Sequence, residues 1–135
     1  MSRKSDNPGK LVIQRDIKGL KKYLDEGGDP NKKRKDWPHD TPLMDAVMES
    51  NVEIVALLLE KINEKGLNPN VSCNGRTPLD IAEYKDEMLL DPSRENTIIL
   101  TMLKQAKELY LVRRMQAKRR GKASRLESKS LGYIR

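Results

Sequence analysis

Two stretches decide the fold, Thr41-Pro42-Leu43-Met44-Asp45-Ala46 and Thr77-Pro78-Leu79-Asp80-Ile81-Ala82. Each predicts the start of a helix for the same reason. A Thr hydroxyl at the N-cap accepts from a free backbone N–H of the first turn, and Pro in the next place has a fixed φ and no donor to leave unpaired. Leu and Ala then follow at i and i+3, on one face of the helix. The two stretches stand 36 residues apart. Self-similarity at such an offset is the mark of a repeat architecture.

After the first motif, Val52-Glu53-Ile54-Val55-Ala56-Leu57-Leu58-Leu59-Glu60 predicts a second, more apolar helix, because Ile54, Val55, Leu58, Leu59 and Ile62 recur at helical spacing. A stop follows in Gly66-Leu67-Asn68-Pro69-Asn70. Its earlier counterpart is Gly27-Gly28-Asp29-Pro30-Asn31, after Ile17, Leu20, Tyr23 and Leu24. Gly supplies the left-handed conformation that ends a helix, and Pro shortly beyond forbids its continuation.

Thr41 to Asn70 resembles the ankyrin repeat, a β-turn followed by two helices that opens on a Thr-Pro-Leu-His-type motif and closes on a Gly-Ala-Asp-x-Asn-type loop. Leu43, Ala46, Glu53 to Val55, Leu57 to Leu59 and Asn70 sit at matching places. Met44 replaces the usual His, Asp45 a usually apolar residue, and Asn51 the usual His of the second helix. The resemblance implies an all-α solenoid of helix-turn-helix units over residues 1–110, with repeats at about 6–40, 41–76 and 77–110 and a basic extension at 111–135. About four surplus residues near Ile62 to Lys65 are expected as loop or helix end. Asp6 to Val12 occupies the place of an opening motif with none of its residues, and Asp86 to Asp91 reads as an insertion before the last second helix, Asn96 to Leu103. With only three units, the outer ones must act as caps.

Composition agrees with helices packed on helices. There is no Phe, one Trp and four Tyr, so the core must be assembled from aliphatic residues and Met. The single Cys73 cannot form an internal disulfide, and Met1 to Lys10 has no apolar leader region, which together predict an intracellular protein, cytoplasmic or nuclear. No apolar run approaches the roughly 20 residues that span a bilayer. One His and one Cys supply no metal site, no catalytic pair and no cofactor, so an enzyme is not expected.

The resemblance places partner contacts at the turn tips and on exposed positions of the first helices. These are Trp37 and His39 in the first turn, Met44, Asp45, Met48 and Glu49 on the following helix, Asn74 and Arg76 in the second turn, and Asp80, Tyr84 and Lys85 beyond it. Trp37 is either an anchor for a partner or a lid over the neighbouring helices. Two Met beside acidic residues suggest an adaptable, partly acidic groove for a protein partner, bound by a monomer.

Charge divides the chain. Residues 1–110 carry 18 Lys/Arg against 19 Asp/Glu, and 111–135 carry 9 against 1. From Ser93 no Gly or Pro intervenes before Gly121, predicting one long helix whose stripe of Ile99, Met102, Leu103, Ala106 and Tyr110 packs on the helix from Val52, with disorder after Gly121. Two basic patches result: Lys32, Lys33, Arg34 and Lys35 in the first turn, and Arg113, Arg114, Lys118, Arg119 and Arg120 in the extension. Such runs serve as import signals, as contacts to nucleic acid, anionic lipid or acidic protein, or as solvated surface. The first reading is therefore a protein-binding adaptor or regulator with a targeting tail, and the second an electrostatic binder of nucleic acid. A third, by analogy within the family, is a bacterial effector secreted to act on a host protein.

Overall fold

The computed structural model describes residues 7–35, 40–88 and 93–133, with side chains of the last helix as far as Gly121. Among these the chain forms α1 (Pro8–Ile13), α2 (Ile17–Asp25), α3 (Pro42–Met48), α4 (Val52–Glu64), α5 (Pro78–Met88) and α6 (Arg94–Tyr133). Trp37 and His39, expected as contacts in the first turn, lie outside the described residues, as does the second half of the expected insertion, whose first half, Asp86 to Met88, is the end of α5.

The helix starts use the cap that the sequence announces. The Thr41 hydroxyl accepts from Met44 N–H at 3.3 Å. In the next unit the Thr77 hydroxyl accepts from Asp80 N–H, and the Asp80 carboxylate accepts in return from Thr77 N–H, both at 3.1 Å. This reciprocal box satisfies two donors that the first turn leaves open. The first unit corrects the expectation that none of the opening residues is present: Asn7 accepts from Gly9 N–H at 3.1 Å, and Pro8 follows it as the first helical residue. Asn does for α1 what Thr does for α3 and α5.

The first four helices share one way of ending. Arg15 N–H donates to Val12 C=O and Asp16 N–H to Leu11 C=O; Ser50 and Asn51 repeat this on Val47 and Ala46, Gly27 and Gly28 on Leu24 and Tyr23, and Gly66 and Leu67 on Asn63 and Ile62. Each is a Schellman closure, with Arg15 (φ 58°), Ser50 (φ 54°), Gly27 (φ 91°) and Gly66 (φ 67°) in the left-handed region. After α1 and α3 the closing residue is at once the N-cap of the next helix: Asp16 accepts from Gly19 N–H and Asn51 from Ile54 N–H. One side chain therefore ends the turn and starts its successor, and each helix folds back on the one before.

Packing arranges the helices in two rows. The inner helices α1, α3 and α5 lie side by side, the outer helices α2, α4 and α6 form the second row, and each inner helix packs on the outer helix that follows it. Leu20, Leu43, Met44, Ile54, Leu58, Ile62 and Ile99 are fully buried between the rows. The surplus near Ile62 is helix, because α4 has 13 residues where α2 has 9.

Basic side chains join successive units by covering carbonyls that helix ends leave open. Lys65 Nζ donates to Gly28 C=O at 3.1 Å, Lys85 Nζ to Val47 C=O at 2.9 Å, and Arg113 Nη1 to Asn63 C=O at 3.1 Å. The loops also touch, through Asn31 Nδ2 to Asn68 C=O at 3.3 Å. Buried Asn96 ties α6 to α5 by donating to Ala82 C=O at 3.0 Å.

The last helix departs from expectation. Its Ile99, Leu103 and Ala106 pack on α4 and α5, but it passes through Gly121 and continues to Tyr133. A single helical Gly costs only about 1 kcal/mol relative to Ala, and Arg, Lys, Gln and Ala around it favour the helix.

Candidate partner-binding face

The middle of the inner row presents few side chains to solvent, because α3 is flanked by α1 and α5 and backed by α4. Along α3 every residue from Pro42 to Val47 is buried. Met44 and Asp45, expected to project toward the groove, do not. A helix of 7 residues makes under two turns, and α1, α5 and α4 cover all of it except its C-terminal end.

What remains exposed lies at the ends of the inner helices. Met48 is 52% exposed, Tyr84 64%, Met88 63% and Ile13 44%. Met48 and Tyr84 each stand seven residues after the capping Thr of their unit, so they hold the same place on adjacent helices. Met88 follows Tyr84 by one turn. Asp80, Glu83 and Glu87 are exposed on α5 beside them, whereas Glu49 is turned to Arg15 at 3.6 Å. The face is apolar with an acidic margin. Met88 and Ile13 escaped sequence reasoning, which stopped at Lys85 in the last inner helix and found no opening motif for the first.

Asn74 and Arg76 form a turn tip as expected. Cys73 and Arg76 exchange both backbone hydrogen bonds, at 2.7 and 3.0 Å, around Asn74 (φ 54°) and Gly75 (φ 75°). Positive φ at both central residues is the type I′ geometry that Asn-Gly favours. Arg76 reaches back to the buried carboxylate of Asp40 at 3.6 Å. Lys85, expected to project, instead lies over the end of α3, where it donates to Val47 C=O and Met48 C=O and to the Ser50 hydroxyl. Partial burial there lowers its pKa from the ordinary value.

The basic run of the first turn is not one solvated patch. Lys33 and Lys35 are exposed and Lys32 half-buried, but Arg34 turns inward, its Nε 3.2 Å from Asp45 Oδ2 with 16% of its side chain exposed. Gly9 makes room for it: a Cβ there would lie 2.5 Å from Arg34 Cγ and 3.2 Å from Asp45 Oδ2. The unexpected Asp45 in an apolar position and the Gly at the place of Leu43 in the first unit are thus one feature. Both were visible as departures from the repeat, but the contact between them was not.

Three helix pairs stacked side by side, with polar turns between them, define a helical-repeat solenoid. The family model described as ankyrin repeats, in three copies, matches residues 11–99, and the chain belongs to that family. Ankyrin repeats are generally protein–protein interaction modules and are typically not enzymes. No curated protein and no solved structure matches the chain. Among the described residues no helix is long and apolar enough to cross a membrane, and no group of His, Cys, Asp or Glu is placed to hold a metal ion.

Proposed function

We propose that this chain is a non-catalytic module that binds a protein partner on the inner row, at Met48, Tyr84 and Met88, with the Asn74–Arg76 tip at the margin. The observation that carries this is the exposure of Met48 and Tyr84 at the same place on adjacent helices, beside an α3 that is otherwise buried. Met adapts its shape to a partner, and Tyr supplies contact area at little entropic cost. The exposed Asp80, Glu83 and Glu87 favour a partner segment that carries basic residues beside apolar ones. The test is selection of binding peptides from a random library, followed by affinity measurement on Met48→Asp, Tyr84→Asp and, as control, Glu53→Lys on the exposed face of α4. The reading requires that the first two variants weaken binding more than tenfold and the control less than twofold. Selected peptides indifferent to Met48 and Tyr84 would rule it out.

A further inference from the structure

The inner row leaves the far part of α6 without a role. Ile99, Leu103 and Ala106 seat the helix, and Arg113 makes a hydrogen bond to the end of α4. From Arg114 to Arg120 every residue is exposed, and the helix still runs to Tyr133. Capping a stack of three units requires no such length.

Some of the basic residues of this helix are aligned, while Arg113, Arg119 and Arg120 stand on its other faces. Lys104, Lys107, Arg114 and Lys118 are exposed and follow one another by three, seven and four residues, with Leu111 in the gap. On a helix of 3.6 residues per turn these spacings make one straight row. Lys122, Arg125 and Lys129 occupy the next register positions of that row. At 1.5 Å per residue the row extends about 38 Å. Of the acidic residues of α6, Glu95 and Glu127 stand off it and Glu108 borders it, one turn after Lys104. Among the described residues, no carboxylate forms an ion pair with any of the four cations.

A solubilising surface intersperses both signs of charge and has no need of alignment. A long row of one sign fits a long row of the other. We infer that this face of α6 binds the phosphate backbone of a nucleic-acid duplex, independently of base sequence. Duplex DNA carries one negative charge per about 1.7 Å of axis, sustained over the whole row. Its major groove, about 12 Å wide, admits a helix whose diameter is about 10–12 Å. A membrane surface matches less well, because an interfacial helix keeps a bulky apolar face beside its charges along its length, whereas the exposed Leu109, Leu111, Val112 and Met115 stop there and between Gln116 and Arg125 the only apolar residues are Ala117, Gly121 and Ala123.

The experiment uses the full chain and labelled 20-base-pair DNA and RNA duplexes, with fluorescence anisotropy followed from 50 to 200 mM KCl. Seven phosphate contacts predict a slope of log affinity against log salt of about −6 on DNA. Replacing Lys104, Lys107, Arg114 and Lys118 together by Gln moves it to about −3 and weakens low-salt binding by about 30-fold or more. Each single replacement lowers the slope by about one, which keeps the reading independent of how the fourfold variant folds. The control replaces Lys10, Lys18, Lys21 and Lys22, exposed on α1 and α2, by Gln; it removes the same charge and leaves the slope unchanged. Equal losses in the two fourfold variants, or no binding at 50 mM KCl, overturn the proposal. So does binding to phosphatidylserine vesicles or polyglutamate as tight as to duplex at matched charge.

Discussion

Gly9 illustrates how one residue fixes another at a distance in sequence. It leaves the space through which Arg34 reaches Asp45, so its missing side chain is what lets an ion pair sit in the inner row. Gly9→Ala should gain helix propensity and still destabilise the protein by about 1 kcal/mol through overpacking, as read from urea denaturation. In an Arg34→Ala background the same change should be neutral or stabilising, and equal effects in both backgrounds would disprove the contact. Arg34→Ala alone should cost about 3 kcal/mol, because it removes the cation from a buried carboxylate. A second prediction concerns Arg15, which holds φ 58° at an exposed turn. Gly adopts that conformation without strain, so Arg15→Gly should raise stability by about 0.5–1 kcal/mol despite the loss of a surface ion pair. At this scale sequence showed that Asp45 departs from the repeat. It did not show Arg34 as its partner, because the pairing depends on where a loop folds.

Helices were the most legible level, and the reason is local. Caps, stops and apolar spacing act within a few residues, so Thr41, Thr77, Gly27 and Gly66 announced boundaries that the structure has. The expected end near Gly121 failed because one Gly weakens a helix without stopping it when neither a closing turn nor a Pro follows. Gly121→Ala should therefore protect the distal part of α6 by about 1 kcal/mol in hydrogen exchange, leaving thermal unfolding of the repeats unmoved. Between elements, Lys85 and Lys61 make opposite predictions in alkali. Burial lowers the pKa of Lys85; in the window below 10.5 its folded form holds fewer protons than the unfolded one, so stability rises with pH there. Hydrogen bonds from Lys61 to Asp25 and then Glu64 raise its pKa, and its contribution is present below 10.5 and lost as pH climbs through the raised value. An alkaline NMR titration of the lysine side chains should find Lys85 deprotonating before Lys61.

Over the whole molecule, stability comes from neighbour contacts between units, and three units allow little redundancy. Leu58 is fully buried between the rows. Leu58→Ala should remove about 3 kcal/mol, a large part of the roughly 5–15 kcal/mol that holds a domain, and all probes should report the loss in one transition. Where the units stack was legible from their spacing. Which positions on them stay open was not, since burial of Met44 and exposure of Met88 depend on how far a neighbouring helix extends. The turns also constrain how such a chain can change length. Inside a helix pair, Asp16 and Asn51 serve both the helix that ends and the helix that starts, so no residue can be added or removed there without losing one of the two. The outer helices α2 and α4 end on loops and not directly on another helix, and α4 exceeds α2 by four residues, about one turn. A whole turn returns the chain to the same side of the helix, where the next loop can still meet its neighbour through Asn31 and Asn68. Insertions into this protein should accordingly be tolerated at the ends of the outer helices, in steps of a helical turn, and rejected within the pairs.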